Sequence, residues 1–271
     1  MRIGMIGGGT IAALFLEHIK RGDLGAAEVV AIAGRADSAR GKALARAYGI
    51  AYVTDIDALL AQRPQIVVEA AAHQALHEYA ERLLTAGIGV IVLSAGAMAD
   101  DDLRERLIAA SHKTGALLYV PSGGIGGLDA LKGAMMAGVD AASITSSKPP
   151  QAWKGIAYVE ALQIDLDGLR EPRVLYDGPA RAGVGHFPQN VNIAAVLSMA
   201  GIGFDRTRLK AVAVPGLERN THTIEVRGRS GEFRITLENV PAPGNPKTAW
   251  LACYSALAAL KQVQSPVRFG T

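Results

Sequence analysis

The chain has 271 residues, long enough for a well-buried core and for one large or two small domains. Hydrophobic residues make up 49% and charged residues 20%, which excludes a disordered chain. The apolar content is mostly Ala, Val, Ile and Leu, the mix of buried parallel strands covered by helices, and a net charge of +3 without runs of like charge argues against a nucleic-acid partner.

In chain order, Met1–Ile6 reads as a strand, Gly7–Gly9 as a turn and Thr10–Arg21 as a helix. Strands are then expected at Glu28–Ala33, Ala51–Val53, Gln65–Glu69, Gly89–Leu93 and Ala116–Val120. Helices are expected at Ser38–Tyr48, Asp55–Gln62, Leu76–Ala86 and Asp101–Thr114. This alternation indicates a doubly wound parallel sheet. No signal peptide is expected, because the first apolar run reads as a strand that Gly7 ends. No stretch reaches the ~18 apolar residues of a membrane span. Cys253 is the only cysteine, which excludes an intrachain disulfide, fits a cytoplasmic protein and reads as a buried structural thiol.

After Pro121 the texture changes. A second glycine-rich turn, Ser122–Gly127, leads into a helix at Leu128–Met136. Strand-like segments follow near Ser143–Ser147, Val174–Tyr176 and Lys210–Val214, with a helix near Gln189–Met199. Thr221–Arg227 and Glu232–Asn239 read as a hairpin. Asn245 and Pro246 read as the cap and first residue of a closing helix, Lys247–Val263, packing through Trp250, Leu251, Tyr254 and Leu257. The expected architecture is α/β: a Rossmann domain over 1–121, an α+β catalytic domain over 122–245, and a C-terminal helix over 246–271 returning to the first domain.

Gly7-Gly8-Gly9-Thr10-Ile11-Ala12 fits G-x-G-x-x-A between a strand and a helix. Gly7 allows the tight turn, Gly9 lets a pyrophosphate approach, and Ala12 keeps the helix close to the sheet. A dinucleotide is therefore expected over Gly7, Gly9, Thr10 and Ile11. Where the second strand ends, Arg35 suits a 2′-phosphate, while Asp37 two residues later suits a ribose, so NAD or NADP is expected. Ala71 ends the fourth strand among small residues that let a flat cofactor pass. His73, His77 and Glu81 have metal-ligand spacing, but a solvated helix face is the preferred reading and no metal is expected. In the second domain, polar groups at element ends mark the site: Ser146-Ser147-Lys148, Asn190 and Asn192 opening a helix, and Thr221-His222 on a hairpin strand.

Several segments carry a resemblance: Ile3–Ile11, Val68–Ala72, Leu93–Asp100, Pro121–Leu131, Lys148-Pro149, Tyr176–Arg181, Phe187–Ala195 and the His222 strand. By their order and spacing the chain resembles the L-aspartate dehydrogenase family along nearly its whole length. The resemblance implies oxidation of L-aspartate to iminoaspartate, hydrolysing to oxaloacetate and ammonia, or the reverse reductive amination, feeding NAD biosynthesis. It implies His222 as the catalytic histidine, and Asn190 and Gly124 as cofactor contacts. At Gly124 the family commonly has Ala, and the loss of one methyl is not expected to abolish binding. The Ser146-Ser147-Lys148 run departs from a more usual Thr-Lys-Lys, which leaves the role of Lys148 less defined. A base near neutral pKa suits the proton transfer, and Lys148, Asn192 and Thr221 are the expected partners of the substrate carboxylates. The expected partners are thus a small-molecule substrate and a second copy in a homodimer, with no membrane. The alternatives are an oxidoreductase of another amino or imino acid, homoserine dehydrogenase-like or dihydrodipicolinate reductase-like, and a non-catalytic NAD(P)-sensing protein.

Overall fold

The computed structural model describes residues 1–187, 192–242 and 245–270. Two compact units form: Met1–Pro121 with Cys253–Val267, and Ser122–Ala252 with Arg268–Thr271.

The first unit is a six-stranded sheet: β1 Arg2–Ile6, β2 Glu28–Ala33, β3 Ala51–Val53, β4 Ile66–Glu69, β5 Gly89–Val92 and β6 Leu118–Tyr119. The order is β3-β2-β1-β4-β5-β6 with every pairing parallel. This is the doubly wound dinucleotide-binding order, with its switch point between β1 and β4. β4 and β5 are buried along their whole length, as strands covered on both faces must be. The connecting helices are α1 Thr10–Lys20, α2 Ala39–Ala47, α3 Ile56–Ala61, α4 His73–Thr85 and α5 Asp101–Thr114. Three begin at side-chain caps: Ser38, Asp55 and Asp100 accept from the backbone N–H groups of Gly41, Ala58 and Leu103. α4 starts at His73, three residues earlier than the apolar periodicity indicates. Its first turn is polar, so hydrophobic spacing carries no signal there.

The second unit is built on α6 Leu128–Ala137, β7 Val139–Lys148, α7 Ala157–Ala161, β8 Arg173–Pro179, α8 Ala180–His186, α9 Asn192–Ala200, β9 Thr207–Ala213, β10 Asn220–Gly228 and β11 Gly231–Asn239. Its sheet order is β11-β10-β7-β9-β8, with β7 and β9 parallel and the other neighbours antiparallel. Side chains alternate between a buried and a wetter face. The buried face carries Ala142, Ile144, Ser146 and Lys148 from β7, and Asn220, His222, Ile224 and Val226 from β10. The segment Tyr176–Arg181 joins β8 to α8. There Arg181 holds Asp205 with two hydrogen bonds of 2.6 and 2.8 Å, a structural tie.

The end of the chain departs from expectation. Asn245–Ala249 is a strand, β13, pairing antiparallel with β12 Pro241–Ala242, so Asn245 and Pro246 do not open the final helix. A proline is tolerated in so short a two-stranded ribbon because it need not donate there. The helix, α10, runs Trp250–Gln264. Its buried stripe is Cys253, Ala256, Leu257 and Leu260, at i, i+3, i+4 and i+7, and Ala256, Leu257 and Leu260 join the core of Ile3, Phe15 and Leu16. Of the expected face only Leu257 is buried. Trp250, Leu251 and Tyr254 stay 36 to 42% exposed, since the smaller Cys253 and Ala256 let the helix lie close.

Candidate active site

In the first unit, β1 runs into Gly7, whose φ is +101°. A Cβ there would stand 2.6 Å from the carbonyl oxygen of Ala70, so only glycine makes this turn. Gly9 is the opposite case: it precedes α1, and a Cβ there would meet no protein atom within 4 Å. No side chain caps α1. Its first N–H groups and dipole thus face an open approach, and the cradle fits a dinucleotide pyrophosphate. Thr10 opens the helix and its hydroxyl accepts from Arg40 Nη2 at 3.0 Å. Ile11 is half-buried and supports the turn from the core side. Arg35 is exposed, its Nε 3.6 Å from an Asp37 carboxylate oxygen, so cation and carboxylate stand together at the end of β2. Arg40 was not singled out from the sequence; it sits in α2, and only the close packing of Gly8 on Gly41 brings that helix beside Thr10.

At the same sheet edge, Glu69 ends β4 and is 1% exposed. Its carboxylate accepts from the N–H of Ala71, the N–H of Ser94 and the hydroxyl of Ser94, each at 2.9 Å. Burial raises its pKa, and these hydrogen bonds oppose the rise. Ala71 is therefore held in place through its backbone, which side-chain reading of the sequence does not reveal. His77 lies 4.0 Å from Asp100, and Glu81 pairs with Arg106. Among the described residues no group of three or more potential ligands is placed to hold a metal.

In the second unit, His222 is 3% and Lys148 2% exposed, on one face of neighbouring strands. The Lys148 ammonium lies 5.3 Å from the centroid of the Trp153 ring, whose indole N–H donates to the carbonyl of Val212 at 3.1 Å. Burial first, and then the positive charge of Lys148, lower the His222 pKa to about 3. The near-neutral base expected from the sequence is thus a neutral imidazole that resists protonation, because it is buried beside a cation. Asn220, 2% exposed, shares the face; strand alternation with His222 was the available signal. The same alternation sends Thr221 to the other face, where its hydroxyl meets the carbonyl of Arg219 at 3.3 Å. Asn192 opens α9, and Asn190 lies outside the described residues. Gly124 is buried, its carbonyl accepting from Asn239 Nδ2 at 2.8 Å. A methyl at this position would stand 3.2 Å from Ala249 Cβ, a tight contact that a shift of a few tenths of an ångström relieves. Cys253 is buried and its thiol is pushed up to about 11, which leaves it unreactive.

Residues 7–121 match the family model described as homoserine dehydrogenase, NAD binding domain, and residues 129–263 match aspartate dehydrogenase, C-terminal. The first match fixes a cofactor domain that several oxidoreductases share; the second distinguishes among them. The chain is 40% identical over the full length of both proteins to L-aspartate dehydrogenase of Methanosarcina barkeri. It is 45% identical to L-aspartate dehydrogenase 2 of Bordetella pertussis over 96% of each. The chain belongs to the L-aspartate dehydrogenase family. The crystal structure of aspartate dehydrogenase from Thermotoga maritima shares the fold, with a TM-score of 0.73 at 25% identity over 100% of this chain and 99% of that one. As an aspartate dehydrogenase family member the chain is an NAD(P)-dependent amino-acid dehydrogenase, and the Gly7–Gly9 cradle is consistent with that cofactor. Among the described residues no helix is long and apolar enough to cross a membrane.

Proposed function

We propose that this enzyme oxidises L-aspartate to iminoaspartate, which hydrolyses to oxaloacetate and ammonia, or runs the reverse reductive amination, and that it serves NAD biosynthesis. The observation that carries the reading is the burial of His222 beside Lys148 on one sheet face. A lysine ammonium is a charge-assisted donor to carboxylates, and L-aspartate carries two of them. A nicotinamide cofactor held over Gly7, Gly9, Thr10 and Ile11 would supply the hydride-transfer chemistry.

The remaining work falls to the chain. Lys148 binds a substrate carboxylate. That negative charge counters the ammonium, so the proton affinity of His222 rises once substrate is in place. His222 then exchanges a proton with the substrate nitrogen or with the water that attacks the imine. In an empty site the same imidazole stays neutral at pH 7. Asn192 and Gly124 belong to this reading as substrate and cofactor contacts, as does Asn190. Thr221 is the weakest member, since it sits on the opposite face from His222. Arg35 favours NADP by taking its 2′-phosphate, and Arg40, through Thr10, backs the phosphate cradle. A cytoplasmic homodimer completes the reading, on the lone buried Cys253 and the prevalence of two-fold assemblies.

The test is nicotinamide absorbance with oxaloacetate, ammonia and reduced cofactor, set against dihydrodipicolinate with reduced cofactor and homoserine with oxidised cofactor. Turnover of oxaloacetate and ammonia at least a hundredfold above the other substrates supports the reading. Silence with both reduced cofactors overturns it.

A further inference from the structure

We infer that Ser146 is a positioning residue for the reaction: its hydroxyl accepts a hydrogen bond from Nδ1–H of His222 in the working enzyme and so leaves the lone pair on Nε2. The inference rests on the aspartate dehydrogenase reading and deepens it, since it concerns the tautomer of the proposed base.

Three facts carry it. In the antiparallel pairing of β10 with β7, His222 stands directly opposite Ser146. Both side chains point to the buried face, with exposures of 3% and 0%. Among the described residues, Ser146 Oγ and His222 Nδ1 are two of only three buried side-chain polar atoms with no hydrogen-bond partner. The third, Thr207 Oγ1, belongs to a residue opposite Ala142, four positions along β7 from Ser146.

Directly opposed residues on antiparallel strands hold their Cβ atoms about 4.5–5.5 Å apart. A serine hydroxyl reaches a facing imidazole nitrogen over that span by rotation about one bond. Two unsatisfied polar atoms in a dry interior are costly, and each is the complement the other lacks. Along β7 the neighbours of Ser146 on this face are Ile144 and Lys148, and His222 stands opposite it on β10. A hydroxyl here has a use only if something accepts or donates to it.

The chemistry fixes the direction. A neutral imidazole carries one proton, and the nitrogen without it is the base. An acceptor at Nδ1 keeps the proton there and frees Nε2. This is the same way a histidine that binds metal, or acts in catalysis, is oriented by the group on its other nitrogen. Lys148, two residues from Ser146 on the same face, is a donor only and cannot take Nδ1–H.

The experiment compares Ser146→Ala and Ser146→Cys with wild type, reading kcat and KM for oxaloacetate with saturating ammonia and NADPH or NADH, together with Tm. Alanine removes the acceptor, and cysteine keeps the volume with a poor one. The expected result is a kcat lowered about 10- to 100-fold in both. The KM for oxaloacetate stays within twofold. A merely structural serine would move Tm downward and leave kcat alone. If wild type turns over and both variants keep kcat within twofold, Ser146 has no such role. If wild type is silent with both cofactors, the aspartate reading itself fails, and this inference with it.

Discussion

Glu69 and Ser94 join the ends of β4 and β5: one carboxylate takes both the backbone N–H and the hydroxyl of the serine. The same carboxyl group holds Ala71, so the small-residue crest beside the cradle is tied down by a single buried side chain. The pKa of Glu69 is raised above 4.5, chiefly by desolvation. A raised folded-state pKa means that the stability from protonation is fully present below 4.5 and is lost as pH rises through the folded value. Glu69→Gln does not titrate. Its stability relative to wild type is therefore expected to improve between pH 4.5 and 7.5 in urea titrations. A constant difference across that range contradicts this.

Gly7 and Gly9 are two residues apart and do different work. Gly7→Ala drives a methyl into the Ala70 carbonyl and costs about 1–3 kcal/mol, read as a fall in Tm. Gly9→Ala meets no protein atom, so its stability cost is under about 1 kcal/mol. It nonetheless weakens NADPH binding at least tenfold, measured by nicotinamide fluorescence, because the methyl occupies the phosphate approach. Equal Tm losses in the two variants would refute the division.

Under the proposed reading, Arg35 at the end of β2 takes the 2′-phosphate of NADP. Charge-assisted hydrogen bonds are worth about 1.5–3 kcal/mol, so Arg35→Ala is expected to raise the KM for NADPH by roughly 10- to 100-fold. The KM for NADH stays within twofold. Parallel changes in both would remove Arg35 from 2′-phosphate recognition.

Much of this was legible in the sequence. The first unit is regular because its strands are mostly apolar runs and three of its helices begin at side-chain caps, both local signals. Its doubly wound character followed from the alternation of strands and helices. The second unit was harder. β12 and β13 are too short for any periodicity, and α7 and α8 are one- or two-turn helices whose pattern hardly repeats. The polar cluster could be named residue by residue, but its pairing depends on register between strands separated by more than 70 residues in the chain. Thr221 was grouped with His222 because the two are adjacent; alternation along β10 separates them. Glu69 went without a role because its partners are backbone groups of two loops, which leave no mark in side-chain spacing.

Lys148 offers a signed test. Its charge helps to lower the His222 pKa, so Lys148→Met raises it, read by NMR titration of the imidazole. Methionine keeps an unbranched apolar stem in place of that of the lysine, and Tm measured alongside checks that the fold survives. Loss of the substrate carboxylate partner raises the KM for oxaloacetate by roughly 10- to 100-fold. An unchanged KM would exclude Lys148 from substrate binding.

The most direct measurement is turnover of oxaloacetate, ammonia and NADPH by His222→Ala against wild type, with cofactor affinity measured in parallel. General acid–base catalysis contributes about 10²–10⁴-fold. The account predicts a fall in kcat within that range, with NADPH binding unchanged. A loss below about threefold, in a variant that binds cofactor normally, contradicts His222 as the proton-transfer group.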